Sequence, residues 1–188
     1  MISSPQEYFR YLASRSRLGL LYRNCWLYPR ICSHLTGRVL DVGCGIGDFL
    51  RFRKQTTGTD INPDTVQYCK SRGLDVVLMN VDRLPFQSER FDGVLLDNVL
   101  EHIGVPKLLL EEVYRVLKPT GTLMVGVPGR AGYLRDHDHK VFYSYDELVT
   151  TLLAHGFICN TVFFMPIEST VLDRLLPQYC LYATFTRN

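Results

Sequence analysis

A glycine-rich turn near the start of the sequence is the first candidate for chemistry. Gly43, Gly45 and Gly47 follow an apolar run typical of a buried strand and precede the predicted start of a helix. Glycine adopts backbone angles that are closed to other residues and lets a ligand approach the main chain closely. Unpaired N–H groups at the start of a helix, together with the helix dipole, favour a carboxylate or a phosphate. The turn therefore predicts a site for an anionic ligand.

An acidic residue ends the next apolar segment. Asp60 follows the predicted strand 55–59, and a carboxylate at this place can accept hydrogen bonds from both hydroxyls of a ribose. Dinucleotide-binding enzymes have such an acid after a turn of the form GxGxxG, whereas the spacing here is GxGxG. The acid thus indicates a ribose-containing ligand, but the three glycines and Asp60 alone do not identify it.

Histidines further along the chain are candidates for acid–base chemistry. His102 follows the fourth predicted strand, and residues 136–139 alternate aspartate with histidine. Histidine is an effective general base near neutral pH, and alternating acids and histidines can also bind a divalent metal. The plainer alternatives are that His102 only fixes its loop and that the run is a solvated loop. We predict His102, His137 and His139 as catalytic candidates and predict no metal site.

The elements that must position these residues alternate between strand and helix. Apolar runs predict strands at 39–42, 55–59, 74–79, 91–96 and 121–127, followed by two more at 157–165 and 179–187. Alternation through the first five strands implies a parallel sheet with helices on both faces. Because the carboxyl ends of parallel strands share one edge, the turn, the acid and His102 are expected at the same edge.

Capping signals mark the starts of several helices. Asn62 before a proline is a good N-cap, and Ser144 with Glu147 forms a capping box. The helix after the fourth strand is predicted to end at a proline at position 119 and to carry a Glu111–Arg115 ion pair on its exposed face. Two helices are predicted between about residues 4 and 35.

Length and composition predict one globular domain. The chain has 188 residues, 46% hydrophobic and 21% charged, and a net charge of +2 that gives no general argument for nucleic acid. No apolar run is long enough to span a membrane, and six cysteines without a CxxC pair indicate reduced thiols in the cytoplasm. We expect a helical cap at 1–36 and a compact domain at 37–188. The cap carries aromatic residues that could pack in the core or line a substrate pocket, namely Tyr8, Tyr11, Tyr22 and Trp26.

Four segments in order resemble the class I S-adenosylmethionine-dependent methyltransferases, particularly the group that methylates metabolites, quinones and sugars. They are VLDVGCGIGDFL, GTDINP, FDGVLLDNVLEHI and EEVYRVLKPTGTLMVGVPG. The resemblance implies an α/β fold with a Rossmann-like, doubly wound seven-stranded sheet in the order 3-2-1-4-5-7-6. The last strand would be antiparallel, and the N-terminal helices would form a cover.

The same resemblance implies roles for individual residues. Asp60 would accept the ribose hydroxyls, Ile61 would lie against the adenine, and Asp97 would approach the methionine amine. Asn80 stands where the family usually has an aspartate for the adenine amino group, so the acceptor there would be weaker. Cys44 would only fill space. The implied cofactor-binding positions are Asp41, Gly43, Cys44, Gly45, Gly47, Asp60, Ile61, Asn80, Val81 and Asp97.

The function implied is methyl transfer from S-adenosylmethionine, with S-adenosylhomocysteine as the product. The expected acceptor is a small molecule or a sugar or glycan, modified at oxygen, with no nucleic acid and no membrane insertion. One alternative is a catalytically silent binding protein of this fold that regulates a partner. A nicotinamide-dependent oxidoreductase is disfavoured by the glycine spacing. The acceptor and the oligomeric state stay open at this point.

Overall fold

A seven-stranded sheet forms the centre of the molecule. The structure is a computed structural model that describes residues 16–81 and 83–187. The strands are β1 (Val39–Val42), β2 (Thr56–Asp60), β3 (Val76–Leu78), β4 (Phe91–Asp97), β5 (Leu117–Pro128), β6 (Phe157–Met165) and β7 (Cys180–Arg187). Their order is β3-β2-β1-β4-β5-β7-β6, and β7 is antiparallel to both β5 and β6. The predicted fold class and strand order are confirmed.

Short helices flank the sheet. They are α1 (Arg17–Tyr22), α2 (Tyr28–Cys32), α3 (Asp48–Phe52), α4 (Pro63–Lys70), α5 (Lys107–Val116), α6 (Arg130–Tyr133), α7 (Tyr145–Ala154) and α8 (Thr170–Leu175). A π-helical segment, Arg23–Leu27, joins α1 to α2, and a 3₁₀ turn, Leu100–His102, follows β4. None of the helices in the described part of the chain combines the length and the apolar character needed to cross a bilayer.

The predicted helix starts are confirmed. The Asn62 side chain accepts a hydrogen bond from the Asp64 N–H at 2.9 Å, and Ser144 and Glu147 form the reciprocal bonds of a capping box. These bonds satisfy N–H groups that have no partner within their own helix.

The predicted ion pair on α5 is wrong. Arg115 pairs with Glu112, at 2.7 Å, and not with Glu111, which pairs with Lys107 instead. The reason is that Arg115 also donates to the carbonyl oxygens of the 84–86 loop, which draws it toward the Glu112 side of the helix. The helix also ends before the predicted proline stop, because β5 already begins at Leu117.

The N-terminal helical segment covers one face of the sheet. Leu27, Tyr28 and Ile31 are buried in a cluster that also contains Leu95 of β4 and Tyr182 of β7. A larger cluster on the other side of the sheet includes the apolar faces of α5 and α7. The predicted cap positions Tyr8 and Tyr11 lie outside the described residues, and the domain boundary at 36/37 stays a prediction.

Candidate active site

The glycine turn lies between β1 and α3, at the carboxyl edge of the parallel strands. Gly43, Gly45 and Gly47 have φ values of 73°, 52° and 75°, in the left-handed region that favours glycine. A Cβ atom on Gly43 would lie 2.8 Å from a methyl carbon of Val99, so the turn packs closely on the loop after β4. Because β1 lies between β2 and β4, the turn stands between the ends of both neighbouring strands.

The N–H groups of the three turn glycines are hydrogen-bonded within the protein. Gly43 donates to the carbonyl oxygen of Thr59 at 2.8 Å, Gly45 donates to Asp60 Oδ2 at 2.8 Å, and Gly47 donates to Cys44 at 3.0 Å. The helix that follows has only five residues, so its dipole is weak. These three N–H groups therefore hold the turn itself. The expectation that N–H groups at the start of the helix bind an anion stays a prediction.

Asp60 supports the turn as well as facing the edge of the sheet. Its Oδ2 accepts the Gly45 N–H, and its Oδ1 accepts the Asn62 N–H, both at 2.8 Å. Burial raises the pKa of this carboxyl, against hydrogen bonds that lower it. The Thr65 side chain and the Ile61 backbone also interact with this carboxyl, which lies at the edge where the sequence predicts a ribose.

Two apolar side chains flank the same edge and face solvent. Ile61 follows β2 and is 55% exposed, and Val81 follows β3 and is 57% exposed. Because Asp60 pairs with Leu78 in the register of these two strands, the two loops leave the sheet side by side. Asn80 is also exposed. This arrangement is compatible with the predicted adenine contacts, which stay predictions.

Asp97 ends β4 on the other side of the glycine turn. Its Oδ1 accepts hydrogen bonds from the Tyr182 hydroxyl at 2.7 Å and from Asn98 Nδ2 at 2.9 Å. Within residues 16–81 and 83–187, Oδ2 has no hydrogen-bond partner. Asn98 itself adopts a left-handed φ of 57°, which turns the chain sharply after the strand. Asp97 therefore presents one carboxylate oxygen to the site, and Tyr182 is a supporting residue that the sequence reasoning missed.

The N-terminal segment brings a cation and a hydroxyl to this region. Arg23 Nη1 lies 3.9 Å from Asp48 Oδ2, at the start of α3, and its charge also interacts with Asp97. Among the described residues the buried Tyr22 hydroxyl has no hydrogen-bond partner, and burial together with nearby Cys180 and Asp97 raises its pKa to about 12. The Tyr22 side chain packs against the apolar cluster under the N-terminal segment, and its place in a substrate pocket stays a prediction. Trp26, in contrast, is 57% exposed.

Two further predicted positions are buried next to the turn. Asp41 lies within β1, where its charge contributes to the raised pKa of Cys44. The Cys44 and Cys69 thiols both donate to the Gly45 carbonyl oxygen, at 3.9 and 3.4 Å, and the neighbouring Cys69 together with burial raises the pKa of Cys44 far above its ordinary value. A thiol with such a pKa stays protonated and is a poor nucleophile. This is compatible with the prediction that Cys44 fills space, which stays a prediction.

Glu101, His102 and His139 form a compact group beside Asp97, here named the EHH cluster. One ligand-type atom from each residue lies within 4.8 Å of the other two, and the imidazole ring centroids of the two histidines are 4.7 Å apart. The loop that carries His139 is fixed to the turn after β4, because Lys140 and Val141 donate N–H bonds to the Glu101 carbonyl at 2.7 and 3.1 Å. The structure thus joins two of the three predicted histidines.

The EHH cluster is largely shielded from solvent, and this burial shifts the pKa values of its side chains. Burial raises the pKa of Glu101 to about 8, with further contributions from the charges of Asp97 and Asp136. Burial and the nearby His139 lower the pKa of His102. His137 is exposed, and among the described residues no hydrogen bond or ion pair joins it to the cluster. Glu101 was missed from the sequence, although a glutamate within an otherwise apolar turn is the signal that could have revealed it.

Comparison with known proteins agrees with this geometry. Residues 40–125 match a family model described as a methyltransferase domain. A probable S-adenosylmethionine-dependent methyltransferase of Mycobacterium tuberculosis is 30% identical over 145 residues, which are 70% of this chain and 53% of that protein. A probable tRNA methyltransferase 9B of Bos taurus is 33% identical over 116 residues, 59% of this chain and 24% of that protein. The chain thus spans less than two thirds of either relative.

A solved structure shows the same fold over nearly the whole chain. It is an S-adenosylmethionine-dependent methyltransferase of Thermotoga maritima, described as a possible histamine N-methyltransferase, with a TM-score of 0.77 and 21% identity. The similarity covers 96% of this chain and 98% of that one. The family match over residues 40–125 and the strand order thus support a class I S-adenosylmethionine-dependent methyltransferase, whose cofactor is S-adenosylmethionine.

Proposed function

We propose that this chain catalyses methyl transfer from S-adenosylmethionine to a hydroxyl oxygen of a small molecule or sugar acceptor. The observation that carries the proposal is the position of the EHH cluster. It lies beside Asp97, whose charge contributes to the raised pKa of Glu101. A group that can take a proton therefore adjoins the residue predicted to hold the methionine end of the cofactor.

The residues at the sheet edge fit the parts of this cofactor. The Asp60 carboxylate suits the ribose hydroxyls, and the exposed side chains of Ile61 and Val81 suit the two faces of the adenine. Within the described residues, Asp97 Oδ2 has no hydrogen-bond partner, and it suits an ammonium group. Arg23, whose Nη1 lies 3.9 Å from Asp48 Oδ2 at the start of α3, is a cation near the turn that suits a carboxylate.

The chemistry needs alignment and the removal of one proton. When bound, S-adenosylmethionine supplies a methyl group on a sulfonium sulfur that keeps the C–S electron pair and leaves as S-adenosylhomocysteine. The acceptor hydroxyl loses its proton as its oxygen takes the methyl group, and the EHH cluster receives that proton. Proton transfer to a positioned side chain contributes typically about 10²–10⁴-fold to a rate.

Product formation with a panel of acceptors tests the proposal. We expect S-adenosylhomocysteine to form with at least one hydroxylated acceptor among sugars, quinols and small hydroxy acids. Transfer RNA belongs in the same panel, because one relative is named a tRNA methyltransferase and our expectation of no nucleic acid is still a prediction. A protein that binds S-adenosylmethionine but consumes none with any acceptor would instead support the silent binding protein.

Replacing His102 with alanine is expected to lower turnover by about 10²–10⁴-fold, because one member of the proton-accepting cluster is removed. The affinity for S-adenosylmethionine should change by less than about twofold, since His102 is not among the cofactor positions. Steady-state turnover and calorimetry measure the two effects. His155→Ala is the control, because this histidine bonds to Thr151 at the end of α7. Normal turnover in His102→Ala would show that His102 only fixes its loop and takes no part in catalysis.

A further inference from the structure

The Glu101 carboxylate is buried without a partner. The residue is 0% exposed, and neither of its carboxylate oxygens has a hydrogen bond within the described residues. A buried carboxyl group that makes no hydrogen bond is uncommon, and buried carboxyl groups in proteins are usually paired or coordinate a metal. His139 Nε2 lies 3.9 Å from Glu101 Oε1, and the other charged groups near Glu101 are the acids Asp97 and Asp136, so within the described residues no permanently charged cation faces it.

His139 is oriented in the way that metal-binding histidines usually are. Its Nδ1 lies 2.9 Å from the carbonyl oxygen of Tyr133, so Nδ1 carries the proton and donates it. The other nitrogen, Nε2, lies 3.9 Å from Glu101 Oε1 with its lone pair available. Metal ligands of this type almost always donate their second ring N–H to a carbonyl or carboxylate, which fixes the tautomer.

His102 lies next to the loop that carries His139. The backbone of Asp138 in that loop is near the His102 ring and acts against the lowering of its pKa. The loop that carries His139 is bonded to the Glu101 carbonyl oxygen through the N–H groups of Lys140 and Val141. These bonds hold the backbones that carry the three side chains together. Asp136 Oδ2 lies 3.9 Å from His139 Nε2 and adds negative charge at the rim.

The separations suit one metal ion after a small adjustment. Imidazole and carboxylate ligands bind Zn²⁺ at about 2.0–2.2 Å, so neighbouring ligand atoms in a tetrahedral site are about 3.3–3.5 Å apart. The atoms here lie within 4.8 Å of one another, and side-chain rotations that move each by about 1 Å would close the site. Two imidazoles and one carboxylate form a donor set found with Zn²⁺ and Fe²⁺, with positions left for an exogenous ligand.

We propose that Glu101, His102 and His139 bind one divalent transition-metal ion of the class that prefers imidazole and carboxylate, such as Zn²⁺ or Fe²⁺. This reverses our prediction from the sequence that no metal site is present. The role of the ion rests on the proposed function: an acceptor oxygen bound at an open position would lose its proton more readily. With the EHH side chains occupied as ligands, that proton would pass to Asp136 at the rim of the cluster or to water. Metal binding itself does not depend on that function.

Calorimetry and spectroscopy on the full chain test the site. After treatment with a chelator, the protein is titrated with Zn²⁺, and separately with Co²⁺ while visible absorption is recorded. We expect one ion per chain, a rise in melting temperature on binding, and Co²⁺ bands of nitrogen and oxygen ligands without intense thiolate charge transfer. The last point separates this site from the exposed thiol of Cys25.

Three variants decide the assignment. Glu101→Gln keeps the size of the side chain and removes the charge, so it should fold at least as well without metal and lose affinity at least about 100-fold. His139→Ala should lose affinity similarly. His137→Ala, two residues away and exposed, should bind as the unaltered chain does. Equal affinity in Glu101→Gln, loss of binding only in His137→Ala, or no stoichiometric binding of either ion to the unaltered chain would overturn the proposal.

The failures of the two proposals are distinguishable. If methyl transfer occurs at full rate in chelator-treated protein that binds no metal, the metal site is wrong and the proposed function stands. If metal binds through Glu101 but S-adenosylmethionine is not consumed with any acceptor, the site stands and the proposed function is wrong.

Discussion

Replacing Asp60 with alanine is expected to lower the affinity for S-adenosylmethionine by more than about 100-fold. A hydrogen bond to a charged group contributes about 1.5–3 kcal/mol, and the proposal assigns two ribose hydroxyls to this carboxylate. About 1.4 kcal/mol corresponds to a tenfold change in affinity, so two such bonds account for the loss. Titration calorimetry with S-adenosylmethionine and S-adenosylhomocysteine measures it.

The structure also sets the control for this variant. Asp60 accepts the N–H groups of Gly45 and Asn62, so its removal is expected to cost stability by roughly 1–3 kcal/mol per group left without a partner. Binding must therefore be measured well below the melting temperature of the variant. Asp75→Ala is the matched control, because it loses a 2.7 Å bond from Thr57 just before β3, away from the carboxyl edge. Unchanged affinity in a folded Asp60→Ala protein would disprove the ribose assignment.

A methyl group added at Gly126 is expected to destabilise the protein by about 2–3 kcal/mol, as overpacking of a core usually does. A Cβ atom there would lie 2.3 Å from Tyr182 Cε1 and 2.9 Å from Asp97 Oδ1. Tyr182 is fully buried and cannot move aside easily. Because its hydroxyl holds Asp97, cofactor affinity should fall as well. Denaturant unfolding and calorimetry of Gly126→Ala measure both effects.

Two further variants test whether the clash with Tyr182 is the cause. Gly104→Ala adds the same methyl group where no atom lies within 4 Å, so its stability should change by less than about 0.5 kcal/mol. In Gly126→Ala combined with Tyr182→Leu, the loss should be smaller than the sum of the two single losses, because the crowded ring is gone. Strict additivity would show that the clash with Tyr182 is not the source of the effect.

The sequence predicts the strands and helix starts of this molecule well because these elements depend on local patterns. Apolar runs and caps such as Asn62 and the Ser144–Glu147 box are read from neighbouring residues, and the structure has them where they were expected. The strand order came from the resemblance of four motifs. The ion pair on α5 was missed because Arg115 is drawn to carbonyl oxygens of a distant loop, which no helical spacing reveals.

The site is less accessible to sequence reasoning because its contacts are long-range. Tyr182 reaches Asp97 across 85 positions, and nothing in its own segment marks it. In the glycine turn, the N–H groups of Gly43 and Gly45 donate to acceptors in β2, which only the parallel pairing brings close. Glu101 was passed over beside the more obvious His102, although burial makes it the unusual residue of the two.

The central claim is that the glycine turn and Asp60 hold S-adenosylmethionine, and one titration tests it most directly. The unaltered chain is titrated by calorimetry with S-adenosylmethionine, S-adenosylhomocysteine, NAD and NADP under the same conditions. We expect one equivalent of S-adenosylmethionine or S-adenosylhomocysteine to bind and neither dinucleotide to do so. Binding of a dinucleotide alone, with no heat from the two sulfur compounds, would contradict the claim.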